Sequence, residues 1–295
     1  ALQSSGCKII DLGLVPTPTV GIMIRHLKAS GGIAITASHN PAEWNAYKFF
    51  GSHGSFLDND AKDRLLEIAA NHDFLRADYE SLGQINPDEQ AISIHIERIL
   101  SAIPTDKIAS KKFKVVVDCV NGVGRRIAEP LLISLGCEAR FIYGEPTGLF
   151  PRNPEPLPEN LMELGEAVRE WKADIGFAID PDADRLAIVD ESGKPLGEER
   201  TLVLAARTAL MEADSGNSDA PPAIVVNLSS TRALDDVARE HGCNITRTPI
   251  GEAWVVKEIM DRNALIGGEG NGGVIYPKVH PGRDAATGIA LVLHG

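Results

Sequence analysis

Residues 31–48, GGIAITASHNPAEWNAYK, decide how the rest of the chain is read. Ile33, Ala34 and Ile35 form a short apolar run that predicts a buried strand. The run stops in Thr36-Ala37-Ser38-His39-Asn40-Pro41, a turn-forming cluster punctuated by Asn40-Pro41. A small hydroxyl residue on a loop directly after a strand is well placed for a nucleophile, because the strand holds the loop. Lys48 follows ten residues after Ser38, close enough to fold back over the loop. Taken alone, Ser38 would be read as a helix or turn cap.

Outward from this stretch the chain alternates strand and helix patterns. On the N-terminal side, a Gly6-Cys7 stop leads into a strand over Lys8-Ile9-Ile10-Asp11. Thr17-Pro18 predicts an N-cap and a first-turn proline. Val20, Met23, Ile24 and Leu27 then keep helical spacing as far as a Gly31-Gly32 stop. The same punctuation returns at Gly136-Cys137 and Gly242-Cys243, each after a helical pattern and before a strand. Strands at 115–118 and 224–227 precede these helices, through the loops Asn121-Gly122-Val123-Gly124 and Ser229-Ser230-Thr231. This is a repeated strand–loop–helix–Gly-Cys–strand unit. Its first copy begins at a helix end, so a strand and most of a helix are expected before Ala1 and the chain reads as a fragment. Cys7, Cys137 and Cys243 belong to the repeat, and with Cys119 they read as buried packing thiols, without the spacing of a zinc site or disulfide framework.

Residues 52–106 hold two helical patterns joined by a polar connection around 83–87. The second pattern, 89–103, ends before Pro104 and reads as a linker helix between domains. Residues 143–158, with five prolines, read as a long extended surface loop. The fold expected is α/β: repeated three-layer α/β domains with mixed, mostly parallel sheets and the active site in the cleft between them. The divisions are 1–106, 107–200 and 201–295.

Composition narrows the function. With 43% hydrophobic residues in 295 the chain has the make-up of an ordinary globular protein. No apolar run approaches the ~20 residues that span a bilayer, and the first residues lack signal-peptide character, so a cytoplasmic location is expected and a membrane partner is not. The net charge of −12 argues against nucleic acid. It also requires that any anionic substrate meet positive charge concentrated locally.

A second motif, Asp180-Pro181-Asp182-Ala183-Asp184-Arg185, lies between apolar runs at 175–179 and 186–189. Carboxylates at alternate positions on a tight loop suit a hard cation with oxygen ligands. Asp180, Asp182, Asp184 and Glu191 match positions 1, 3, 5 and 12 of an EF-hand, but Arg185 stands where glycine is required, Pro181 interrupts the loop and strands flank it. A solvated acidic turn is the other reading. Against it, three crowded aspartates repel one another, a cost that a cation offsets, and magnesium is the natural choice where phosphate supplies another ligand. A third motif, Gly267-Gly268-Glu269-Gly270-Asn271-Gly272-Gly273, sets one carboxylate on a bare loop where sugar hydroxyls could approach.

The three motifs, in this order, resemble those of the α-D-phosphohexomutases, which comprise phosphoglucomutases, phosphomannomutases and phosphoglucosamine mutases. The resemblance covers nearly the whole chain. It implies that Ser38 is the phosphoserine and that Ser38, Asp180, Asp182 and Asp184 hold Mg²⁺, with Arg185 on the phosphoryl group. Lys48 is then the candidate for moving the substrate hydroxyl's proton, which would need its pKa lowered, and His39 an orienting residue. Glu269 is the expected sugar-hydroxyl acceptor, and Thr248 and Gly251 lie on a second substrate loop. Asn271 stands where the family usually has serine and Gly273 where several members have histidine, departures that lean toward the phosphoglucosamine branch. Lys278, His280 and Arg283 could supply positive charge. The implied reaction interconverts hexose 1-phosphate and 6-phosphate through a hexose 1,6-bisphosphate. The family's C-terminal phosphate-clamping domain finds no counterpart before Gly295. A Mg²⁺-dependent sugar phosphatase and a non-catalytic sugar-phosphate-binding protein are the alternatives, and oligomeric state is not legible.

Overall fold

The computed structural model describes residues 1–41, 43–214 and 221–295. The first part of the chain forms β1 (Ile9–Asp11), α1 (Thr17–Leu27), β2 (Gly31–Ile35), β3 (Tyr47–Gly51), α2 (Asn59–Asn71), β4 (Ile85–Pro87) and α3 (Ala91–Ala102). The middle part forms α4 (Asp106–Lys111), β5 (Lys114–Asp118), α5 (Gly124–Ser134), β6 (Glu138–Ile142), α6 (Met162–Trp171), β7 (Ile175–Ile179) and β8 (Leu186–Val189). The last part forms α7 (Glu198–Asp214), β9 (Ala223–Asn227), α8 (Ala233–Glu240), β10 (Asn244–Thr248), α9 (Glu252–Arg262), β11 (Ile266–Glu269), β12 (Gly273–Ile275) and α10 (Ala285–His294).

The repeat seen in the sequence is a repeat in space. One sheet has the order β6-β5-β7-β8 and another β10-β9-β11-β12. In each, the first three strands run parallel and the fourth returns antiparallel to the third. Val115–Val117 of β5 and Gly176–Ile179 of β7 are buried, as parallel strands covered by helices on both faces require. Gly136 and Gly242 both adopt left-handed φ, 72° and 60°, which turns each helix end back into its strand.

The first part follows the same plan with different pairing: β1 pairs in parallel with β4, and β2 pairs antiparallel with β3, as two separate two-stranded sheets. Here β2 departs from expectation. It is not buried: Ile33 is 37% and Ile35 67% exposed, because a two-stranded sheet leaves a face and an edge uncovered. β4 was not expected at all, since three residues ending in Pro87 carry no readable alternation. α1 ends at Lys28 in the left-handed conformation, before the two glycines, which instead open β2.

α3 ends before Pro104 as expected and packs against α1, α5 and α10. α10 and α7 lie against each other, and one continuous apolar core runs from Ile22 and Ile99 through Leu131 and Phe177 to Leu202, Leu234 and Ile289. Only Cys119 is fully buried; Cys7 is exposed and Cys137 and Cys243 are half-buried, so the thiols of the repeat do not fill the core. The proline-rich segment is extended but held down. Arg152 donates to Asp118 through Nε (2.9 Å) and Nη2 (2.7 Å), and Asn121 Nδ2 donates to the Leu149 carbonyl.

Candidate active site

The three motif loops are the same element three times. Each lies in the hairpin that joins a unit's strand after a crossover helix to its antiparallel return: β2–β3, β7–β8 and β11–β12. The register Ile35↔Tyr47 closes the first hairpin, with the described loop residues 36–41 and 43–46 between its strands.

Ser38 sits in the left-handed region, φ 51°, with its N–H donating to Thr36 Oγ1 at 3.0 Å. A non-glycine residue there costs on the order of 1 kcal/mol and is held only where its surroundings insist. Its hydroxyl donates to Asp180 Oδ2 at 2.9 Å and lies 3.3 Å from His39 Nδ1. The serine and the aspartate loop therefore meet across 142 residues of sequence.

Asp180, Asp182 and Asp184 are 0%, 3% and 1% exposed, and one carboxylate oxygen from each lies within 4.8 Å of the others. Asp180 Oδ1 accepts the backbone N–H groups of Asp184 and Arg185, both at 3.0 Å, which shapes the loop. Thr17, expected as an N-cap, is instead the first residue of α1. Its hydroxyl donates to Asp182 Oδ2 at 2.5 Å and its N–H to the Asp182 carbonyl at 2.9 Å.

Asp182 Oδ1 and Asp184 Oδ1 are buried with no hydrogen-bond donor. Orphaned carboxylate oxygens in a buried trio are costly unless a cation meets them, so the donor set fits a hard divalent ion. Burial and the neighbouring carboxylates of Asp184 and Asp182 push Asp180 well above the usual carboxylate range. Burial would raise Asp184 too, but Arg283, Lys48 and Arg185 outweigh it and hold its carboxyl well below that range.

Lys48, on β3, reaches Asp182 Oδ2 at 2.5 Å and Asp184 Oδ2 at 3.1 Å. The expected lowering of its pKa is not found. Burial alone would lower it, but the carboxylates of Asp184 and Asp182 outweigh burial and hold the ammonium above the ordinary lysine value. Arg185 is 12% exposed, with Nε 3.9 Å from Asp184 Oδ1 and Nη1 3.8 Å from Glu155 Oε1. Glu155 also lies 3.9 Å from His39 Nε2. Burial and Arg185 lower the His39 pKa, partly offset by Glu155 and the aspartates.

On the third loop, Glu269 is 4% exposed. Its Oε1 accepts from Asn227 Nδ2 at 2.9 Å and from the Gly251 N–H at 3.2 Å. Arg283 supplies positive charge as expected, but to protein carboxylates. Nη2 donates to Asp184 (2.8 Å) and Nη1 to Glu269 Oε2 (2.9 Å), while Nε lies 2.9 Å from Glu252. It thereby ties the aspartate loop to the third loop.

Thr248 is buried and donates to the Pro249 carbonyl, and Asn271 Oδ1 accepts the Gly273 N–H to shape its own turn. Lys278 is exposed; the contact of its ammonium is with the Tyr276 ring, not with the site carboxylates. His280 supplies no charge, because burial pulls its pKa down to about 3.

Sequence reasoning missed Thr17, Glu155, Asn227 and Glu252, whose partners within the site lie 30 or more residues along the chain. Among these residues five largely buried carboxylates (the trio, Glu252 and Glu269) face three cations, Lys48, Arg185 and Arg283. The shortfall of two positive charges is what a divalent ion supplies.

Three models of phosphoglucomutase/phosphomannomutase α/β/α domains match the chain: domain I at residues 1–76, domain II at 93–193 and domain III at 197–294. A phosphoglucomutase/phosphomannomutase of Thermococcus kodakarensis is 37% identical over 99% of this chain and 63% of its own. A phosphoglucosamine/phosphogalactosamine mutase of Sulfurisphaera tokodaii is 32% identical over 99% and 64%. A solved phosphoglucomutase/phosphomannomutase family protein of Burkholderia thailandensis superposes with a TM-score of 0.82 at 27% identity, over 99% of this chain and 63% of that one. The chain thus spans somewhat over three fifths of the length of the curated relatives it matches.

Proposed function

The chain belongs to the phosphoglucomutase/phosphomannomutase group of the α-D-phosphohexomutases, and from that premise we propose that Ser38 carries a phosphoryl group between the 1- and 6-positions of a hexose phosphate. The observation that bears most weight is the 2.9 Å hydrogen bond from Ser38 Oγ to Asp180, across 142 residues. In this reading phosphorylated Ser38 faces the free hydroxyl of the sugar. An O–P bond forms to that hydroxyl as the Ser38 Oγ–P bond breaks, giving a hexose 1,6-bisphosphate. The bisphosphate turns over in the cleft and returns its other phosphoryl to Ser38. Such transfer depends on positioning and charge neutralisation.

Asp180, Asp182, Asp184 and the Ser38 oxygen would hold Mg²⁺, which supplies Lewis-acid stabilisation of the transferring group. Arg185 offsets the phosphoryl charge. Lys48, kept as an ammonium by Asp182 and Asp184, is set to hydrogen-bond a phosphoryl oxygen and to return a proton to Ser38. Once that proton has gone to Ser38, the neutral amine takes the proton of the attacking sugar hydroxyl, so the transfer returns Lys48 to the ammonium that the carboxylates favour. His39 orients Ser38 from 3.3 Å. Glu269, with the loops of Thr248, Gly251 and Asn271, faces the sugar hydroxyls. The departures at Asn271 and Gly273, together with relatives named for glucosamine, favour an amino-sugar phosphate over glucose or mannose phosphate. A cytoplasmic location belongs to the same reading; no helix among the described residues is long and apolar enough to cross a membrane.

The test is an assay of the intact protein with Mg²⁺ against glucose, mannose and glucosamine 1-phosphates. Wild type is expected to form the 6-phosphate and to carry one phosphate on Ser38 by intact mass. Ser38→Ala is expected to lose turnover by at least ~10³-fold. Wild-type rates in that variant, or steady phosphate release without an isomer, would overturn the assignment.

A further inference from the structure

We propose that His95 is a positioning residue for this reaction, clamping the 280–284 strap onto the first turn of α1 and so setting the aspartate loop against the sugar loop. The inference rests on the reading just given. His95 lies on the buried face of α3 with Ala91, Ile96 and Ile99, and is 0% exposed. An imidazole in such a place costs stability unless both nitrogens are met, and both are. Nδ1 is 2.9 Å from Thr19 Oγ1 and Nε2 is 2.8 Å from Asp284 Oδ2, partners 76 and 189 residues away. Thr19 is 0% and Asp284 1% exposed.

What lies beyond each partner makes the clamp more than a satisfied core histidine. Thr19 shares the first turn of α1 with Thr17, whose hydroxyl and N–H both hold Asp182. Asp284 adjoins Arg283, whose guanidinium spans Asp184, Glu252 and Glu269. Asp284 is itself fixed by donors from Ala286 N–H and the Thr287 hydroxyl, and its own N–H donates to the Val274 carbonyl of β12. One ring therefore connects the turn that orients a metal-site carboxylate to the strap that orients the sugar-site cation.

A second observation points the same way. The strap lies so close to α1 that a Cβ on Gly21 would come within 2.3 Å of His280 Cε1. The two elements meet face to face at that point, with no room for even a methyl group between them.

The alignment matters because the acceptor hydroxyl is held by the sugar loop and the phosphoryl by the serine and aspartate loops. A misplacement of about 1 Å between such groups costs on the order of 10²-fold in rate. In the intact protein, His95→Phe, which keeps ring volume and removes both polar contacts, is expected to lower kcat by at least ~10-fold while KM stays within ~3-fold. His95→Gln, whose amide offers an acceptor to Thr19 and a donor to Asp284, is expected to recover most of the loss. Thr19→Val should lower kcat in part and be non-additive with His95→Phe.

Hydrogen exchange gives a readout independent of turnover. Amides of 17–21 and 280–284 should exchange faster together in His95→Phe and stay protected in His95→Gln. Should His95→Phe not fold, the same two measurements on Thr19→Val against wild type decide the matter. Unchanged kcat per folded molecule with unchanged protection of both segments overturns the clamp. If wild type interconverts no hexose phosphate, the functional reading fails by itself, and the exchange pattern still tests the clamp.

Discussion

Asp284 keeps a charge where water does not reach, and that has a pH signature. Burial would raise its pKa, but His95 and the Thr287 hydroxyl outweigh burial and hold it below the ordinary value. A carboxyl depressed in the folded state contributes stability that is complete above its unfolded pKa and disappears as pH falls through the folded one. In urea titrations wild type is therefore expected to lose stability as pH falls below the ordinary carboxylate value of about 4. Asp284→Asn should be less stable at pH 7 and show a shallower acid limb; an identical limb would contradict the pairing. This residue was not legible as a site member. Its neighbour Arg283 was noticed for its charge alone, and nothing local to either residue announces partners 99 to 189 positions away. Ser38 and the aspartates stand out for the opposite reason, since each lies in a short contiguous cluster that, in order with the third motif, resembles the family's, although Ser38 alone would read as a cap.

At the scale of elements, the Gly-Cys punctuation was a sound guide because a left-handed helix end has few sequence solutions. The two copies differ in a way that can be measured. A Cβ on Gly242 (φ 60°) meets nothing within 4 Å, whereas on Gly136 (φ 72°) it would come within 3.2 Å of Ala109 Cα. Gly242→Ala should cost on the order of 1 kcal/mol from backbone conformation alone, and Gly136→Ala clearly more, by denaturant midpoint at constant m-value. Equal costs would mean that the contact with α4 is slack. β4 and the exposure of β2 escaped the sequence for related reasons. Three residues show no period, and apolar residues in a strand do not reveal how many neighbours that strand has.

For the molecule as a whole, the excess of buried carboxylates predicts a stability that depends on divalent ions. Protein stripped with chelator should gain about 2.7 kcal/mol on addition of Mg²⁺ at a hundredfold excess over Kd, seen as a rise of several degrees in Tm. Asp182→Asn should abolish most of that rise, and a full rise in the variant would place the ion elsewhere. The net charge of −12 works in the same direction, because the overall field opposes an anion and favours its approach only where positive charge such as that of Arg185 and Lys48 is concentrated. One architectural fact also bears on how the protein can change over generations. Ser38 and the aspartates ride hairpin tips outside the paired residues, and Glu269 closes a third hairpin opposite Gly273. On the proposed assignment, the tip that meets the sugar can be rewritten while the serine and aspartate tips keep the phosphate chemistry, so new substrate preferences need not begin with a broken catalyst.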